Sequence, residues 1–370
     1  AKFANVKQLL VSSGTLTSAS WTGEQALGHG RTITVSGESA KLLISVVDGT
    51  GWSASGGRII LNNGGTLEYG VRDSLHTPIT LCGGTLALGA SAAQSNRALD
   101  IYLTGDTPDF TVTALEGATT AAPTVSYLKA LGTGNNALVL LRNGSMIADV
   151  AENARFVVSA VLVSSVSGGA SGTPGALIKQ GSGELELSGS NTYATGTQIQ
   201  AGTLKLSGSG TLGTGAAAVS EGAALELAVA EGEETKTLAN VFTGAGAVEK
   251  TGAGTAKLSG NLSGFTGTIT LTAGALDVGS ATVGETKPTF AFGEGATGTL
   301  TVPAGAEGTV TVPAGAALKL VLSAAQVLEG YTASGVTLAD GGAFSFVNAA
   351  GETITEGVKG TTYTAPLNTW

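Results

Sequence analysis

Two histidines and one cysteine in 370 residues leave little material for several kinds of chemistry. His29 and His76 are too few and too isolated for a zinc site, which usually takes three or four ligands. No nucleophile-elbow phrase accompanies Asp73, Ser74 and His76, so both histidines read as turn residues. Cys82 has no second thiol to pair with, and a nearly thiol-free composition suits export into an oxidising space. Charged residues are 12% of the chain, about half the usual share of roughly 25%. With a net charge of −9 and no basic cluster, nucleic acid and anionic membranes are poor partners. No apolar run is long enough for a membrane span. Aromatics amount to only 5%.

What is abundant is glycine, with 58 residues, roughly twice the ordinary share of about 7%. A mean hydropathy of +0.28 and 42% apolar residues exclude a disordered linker. Small residues for tight corners and β-branched residues for strands are the recipe of a solenoid, which grows by adding rungs of about 20–24 residues stacked about 4.8 Å apart. Residues 175–206 show the unit most clearly. Leu185-Glu-Leu187, Thr197-Gln-Ile199 and Thr203-Leu-Lys-Leu206 alternate apolar with polar positions, as strands with one buried face do. Gly181, Gly183, Gly189 and Gly202 separate them. Such a unit cannot bury its own apolar edge and must stack on copies of itself. A second copy runs from Gly244 to Leu276, with Lys179 mapping to Lys250 and Gly196 to Gly267 at one constant offset.

These lysines, the paired glycines, Leu185, Leu187, Asn191, Tyr193 and Gly202-Thr-Leu204 resemble the passenger-associated repeat of bacterial autotransporters. The second copy lacks the tyrosine and offers Phe265 nearby. The resemblance implies a right-handed parallel β-helix, exported to the cell surface or beyond it.

The remaining chain follows the same plan more loosely. Phe3, Val6, Leu9 and Leu10 suit either a short amphipathic helix over the first rung or an extended first strand. Gly64-Gly-Thr-Leu67 and Gly83-Gly-Thr-Leu86 repeat a closing phrase, and the stretches Ala137–Leu141 and Phe156–Ser164 are apolar enough to lie in the core. Residues 89–135 break the period with Asp106, Pro108, Asp109 and Pro123, as a side loop or an elaborated rung would. Residues 298–305 and 308–315 are near-duplicates, suited to two paired strands or two faces of one rung. Ser323–Gly330 carries a serine cap and a glycine stop, which predict a short helix. The expected division is 1–174 with degenerate repeats, 175–279 with passenger-type repeats, and 280–370 as β-rich rungs or a cap.

The chemistry read from these residues is sparse. Gly208-Ser-Gly-Thr-Leu-Gly213 matches a dinucleotide fingerprint literally, but no strand–helix unit surrounds it. The acidic clusters Asp106/Asp109 and Glu231/Glu233/Glu234 match no calcium loop and read as solvated loops. No catalytic residues, no metal and no cofactor are expected, and Lys179 and Lys250 read as a solvent-facing ladder. Trp21, Trp52, Tyr193 and Phe265 are candidates for stacking on glycans, with packing as the commoner use. Open solenoid ends invite strand addition, so Phe3, Val6, Leu9, Leu10, Tyr363, Leu367 and Trp370 are candidates for self-association. The expected function is a non-enzymatic, exported structural protein, a homo-oligomer or homopolymer assembling end to end into fibres. An adhesin or glycan-binding passenger is the alternative, and a polysaccharide-degrading enzyme a third reading.

Overall fold

The computed structural model describes residues 7–18, 32–44, 57–69, 74–75, 78–89, 99–102, 108–131, 138–142, 144–165, 173–286 and 288–301, and the strands 310–312, 317–321, 336–338, 343–347, 353–356 and 362–363. All regular structure among them is β. The chain forms two compact units, Ala1–Leu204 with Gly210–Gly215, and Lys205–Ser209 with Ala216–Trp370.

In the first unit the alternating runs become three parallel sheets, and the chain visits each in turn before climbing to the next coil. One sheet stacks Gln8–Val11, Thr32–Ser36, Arg58–Asn62, Ile79–Cys82, Phe110–Val112, Met146–Val150, Leu177–Gln180 and Thr197–Ile199. The second includes Thr15–Ser18, Lys41–Ile44, Thr66–Tyr69, Thr85–Leu88, Thr124–Ala130, Ala154–Val158 and Glu184–Leu187. The third stacks Ser74–Leu75, Leu99–Tyr102, Leu138–Arg142 and Val161–Val163. This is a parallel β-helix, in which the interior strands complete their hydrogen bonds with the coils above and below.

Register keeps like residues in columns. Leu42, Leu67, Leu86, Leu128, Val158 and Leu187 follow one another in the second sheet, and all are fully buried. A one-residue slip would turn the whole column outward, so the apolar pattern alone pins the register. Phe156 and the apolar runs 138–141 and 156–162 contribute Val139, Leu141, Val158 and Leu162 to the core. Of the two readings for residues 89–135, the elaborated rung holds for the described part. Phe110–Val112 and Thr124–Ala130 keep their places in the stack, and residues 113–123 replace a tight corner with a longer loop. Of the two readings for the N-terminal segment, the strand holds for its described part: Gln8–Val11 pairs in parallel with Thr32–Ser36.

The second unit repeats the architecture. Ala217–Val219, Phe242–Gly244 and Gly264–Phe265 stack in parallel, as do Ala224–Ala228, Ala247–Thr251 and the start of Thr268–Asp277. Thr289–Thr301 continues onto Ala317–Val321 and then Ala343–Val347. The near-duplicate segments do not pair with each other, since Leu300 lies beside Leu320 and Thr311 beside Ala291. Pairing turns antiparallel at the end, where Ala343–Val347 meets Thr353–Glu356 and Val336 meets Tyr363. The predicted helix Ser323–Gly330 lies outside the described residues.

Corners are where glycine is needed. Gly202 has φ +63, and a Cβ there would sit 2.4 Å from the Gly183 carbonyl oxygen and 2.5 Å from that of Gly181. Gly274 repeats the arrangement at φ +76, with Gly254 and Gly252 oxygens at 2.3 and 2.6 Å. Gly222 has a similar φ of +78 but open space where its Cβ would be. Gly202→Ala is therefore expected to cost about 3 kcal/mol, combining left-handed strain with backbone overlap. Gly222→Ala should cost only the strain, about 1 kcal/mol. Chemical denaturation of the two variants checks the difference.

Candidate functional site

Lys179 and Lys250 occupy inward columns made otherwise of apolar residues. Lys179 lies between Ala148 and Ile199, and Lys250 between Leu227 and Leu271. Both side chains are wholly buried, so the solvent-facing ladder expected of them is corrected. The reason lies in strand periodicity, because Lys179 shares a face with Leu177, and Lys250 with Val248. Each ammonium is received by three backbone carbonyls. Lys179 Nζ donates to Gln180, Gly181 and Ala201 oxygens at 2.6, 2.7 and 3.1 Å. Lys250 Nζ donates to Thr251, Gly252 and Ala273 at 2.7, 2.6 and 3.1 Å. In each case two acceptors belong to the lysine's own corner and the third to the following coil. Burial pulls both ammonium groups down to about 8, while the filled carbonyls favour the charged form.

Other polar residues of the first passenger-like phrase are used in the same way. Asn191 accepts from the Leu162 amide at 2.8 Å and donates to the Thr211 carbonyl at 2.8 Å, bridging three coils. Tyr193 is fully buried, with its hydroxyl 2.6 Å from Thr197 Oγ1, and burial pushes the phenol well above its ordinary range. Phe265 is also fully buried. Neither ring can stack on a sugar, which corrects that candidacy: both sit on the inward phase and fill the core. Trp21 and Trp52 lie outside the described residues.

Just outside the Lys179 corner runs a groove of about 600 Å³. Its floor is the stack of corners carrying Glu152, Asn153, Ser182, Gly183 and Thr203, and the loop 113–123 overhangs it with Thr120, Ala121 and Pro123. A narrow turn closes the loop, with Thr119 and Ala122 exchanging backbone hydrogen bonds of 3.2 and 3.1 Å. Asn153 anchors the overhang. Its Oδ1 accepts from Thr120 Oγ1 at 3.1 Å, its carbonyl takes the ladder bond from Thr124 N–H at 2.9 Å, and its φ is +58. Arg155 lines the same groove, with Nε 2.8 Å from Glu184 Oε1 and a second ion pair to Glu186.

Among the candidates for self-association, Leu10 is 64% exposed and Leu9 half-buried. Tyr363 lies in the antiparallel strand Thr362–Tyr363, and Phe3, Val6, Leu367 and Trp370 lie outside the described residues. Of the acidic clusters, Asp109 is not a solvated loop residue. It is half-buried and accepts from the Ile147 amide at 2.8 Å, because its coil is clamped between neighbours. Burial pushes its carboxyl up to about 7. Glu231, Glu233 and Glu234 are exposed, as expected, and Glu233 caps Ala230 N–H at 2.8 Å. Among the described residues no group of three or more acidic, histidine or cysteine side chains is placed to hold a metal. No helix among them is long and apolar enough to cross a membrane.

The stacked parallel coils define the class, a parallel β-helix. The chain carries two copies of the passenger-associated-transport-repeat, whose family model matches residues 177–206 and 248–278. The buried lysines, Asn191, Tyr193 and Phe265 all fall inside these matches. No curated protein and no solved structure matches the chain.

Two measurements test the polar joints. Lys179→Met and Lys250→Met should each cost about 3 kcal/mol in denaturant titrations, because three carbonyls lose a charged donor. Lys257→Met, which removes only a half-exposed pair 3.0 Å from Asp277, should cost less than about 1 kcal/mol. Asp109 makes stability depend on pH. Between its ordinary 3.8 and about 7 the folded chain holds a proton that the unfolded chain has released. Its contribution is complete below pH about 4 and fades as pH rises through about 7. Asp109→Asn should flatten that slope in unfolding curves recorded across this range.

Proposed function

We propose that the chain is an exported, non-enzymatic structural protein of the bacterial surface or extracellular space. The observation that carries this reading is the use made of the polar residues in the two matched repeats. Lys179, Lys250 and Asn191 spend their hydrogen bonds on joining one coil to the next, and Tyr193 spends its hydroxyl on Thr197 within its own coil. A repeat whose polar side chains are consumed by its own packing is built to last rather than to react. Low charge and short corners also deny proteases the exposed, flexible chain they need. The passenger repeat supports export, since passengers of this type act outside the cell.

Self-association through terminal segments extends the reading to a scaffold of many copies. Among the described strands, Gln8–Val11 has a paired neighbour on one side only, and it presents Leu10 to solvent. A second chain adding a strand there would complete the ladder and cover that leucine. The groove favours a second reading, in which the solenoid presents a binding surface as an adhesin does.

Negative-stain electron microscopy of the purified chain across a concentration series tests the scaffold. Filaments or sheets should form with rising concentration and be lost on deletion of residues 361–370 or in Leu10→Asp. Single particles at every concentration would sink self-assembly.

A further inference from the structure

We propose that the groove beneath the loop 113–123 is a binding site for an uncharged saccharide. The loop meets the stack at its start, where Thr113 N–H donates to the Leu81 carbonyl at 2.9 Å, and its further length is not needed for strand pairing. Its coil is already complete, because Phe110–Val112 and Thr124–Ala130 pair with both neighbours without it. A tight corner of a few residues would serve, as Gly64-Gly65 and Gly83-Gly84 do in earlier coils. The loop instead reaches the next corner, where Thr120, Ala121 and Pro123 line the groove together with Asn153. The hydrogen bond from Thr120 Oγ1 to Asn153 Oδ1, 3.1 Å, ties the loop to the next corner.

The lining identifies the ligand. Its volume of about 600 Å³ lies within the range of small-molecule sites, roughly 300–1,000 Å³. Thr120, Ser182 and Thr203 offer hydroxyls, Asn153 an amide, and Glu152 and Glu184 carboxylates, with Ala121 and Pro123 as small apolar patches. Hydroxyls and an amide that can donate, beside carboxylates that accept, match a ligand covered in hydroxyls. The lining mixes polar and apolar surface about equally, as the edges and faces of a sugar ring do. Arg155 is the one cation in the lining, and Glu184 and Glu186 neutralise it. Anionic sugars, phosphates and sulfates would face two carboxylates with no free positive partner. The floor is rigid, since the Lys179 ammonium holds the Gln180, Gly181 and Ala201 carbonyls directly beneath. A rigid, pre-formed floor lowers the ordering cost of binding.

The inference does not depend on self-association, and its test reads ligand rather than assembly. The intact chain is applied to an array holding neutral, amino-, carboxylated and sulfated oligosaccharides, and the strongest neutral glycan is then titrated by calorimetry. Ala121→Trp and Ser182→Trp, both at exposed positions, should weaken that binding at least tenfold with unchanged melting temperatures. Thr203→Val, which removes a hydroxyl without adding bulk, should weaken it several-fold. Retention of neutral glycans together with these losses supports the site. Absence of any neutral glycan, preference for the anionic set, or binding that survives all three substitutions would overturn it.

Discussion

The structure depends on the corners, and the corners of the two matched repeats depend on a buried ammonium. A tight turn leaves carbonyl oxygens pointing into a space that the next coil is about to cover. Water cannot follow them there, and unfilled they would cost roughly 1–3 kcal/mol each. A lysine on the inward phase of the preceding strand supplies three donors from one flexible stem. It binds two oxygens of its own corner and one of the coil above. The same atom thus closes a turn and fixes the stacking of its neighbour. Glycine completes the joint, because the following corner lies against oxygens that any side chain would displace.

This joint explains why the repeat can look polar and yet be core. A buried charge is tolerated only when its hydrogen-bonding capacity is met, and three carbonyls meet that of an ammonium. Asn191 and Tyr193 follow the same rule with neutral groups. Among the described residues the solenoid departs from its repeat at the loop 113–123. Rungs supply a rigid floor, and an insertion at one corner supplies the wall. A fold of this kind gains a site by lengthening a loop, without disturbing the ladder that bears it.

Much of the architecture was legible in the chain. The strand runs 185–187, 197–199 and 203–206, the apolar stretches near 139 and 158, and the two related copies all appear as read, since period-two alternation translates directly into an inward and an outward face. The lysines were legible too, by their phase with Leu177 and Val248, but charge was weighed above position. For Tyr193 and Phe265 packing is the use the structure shows, since neighbouring coils cover both rings.

The groove was not legible. Thr120, Asn153, Ser182 and Thr203 are distant in sequence and unremarkable in type, and only stacking brings their corners into line. By itself the sequence determined the strand period, the glycine corners and the need to stack, because these are local properties of backbone and side-chain alternation. The tertiary structure decided which polar groups face inward to carbonyls, and which corners lie side by side under an overhanging loop. Those outcomes rest on contacts between coils, and no stretch of chain contains both partners.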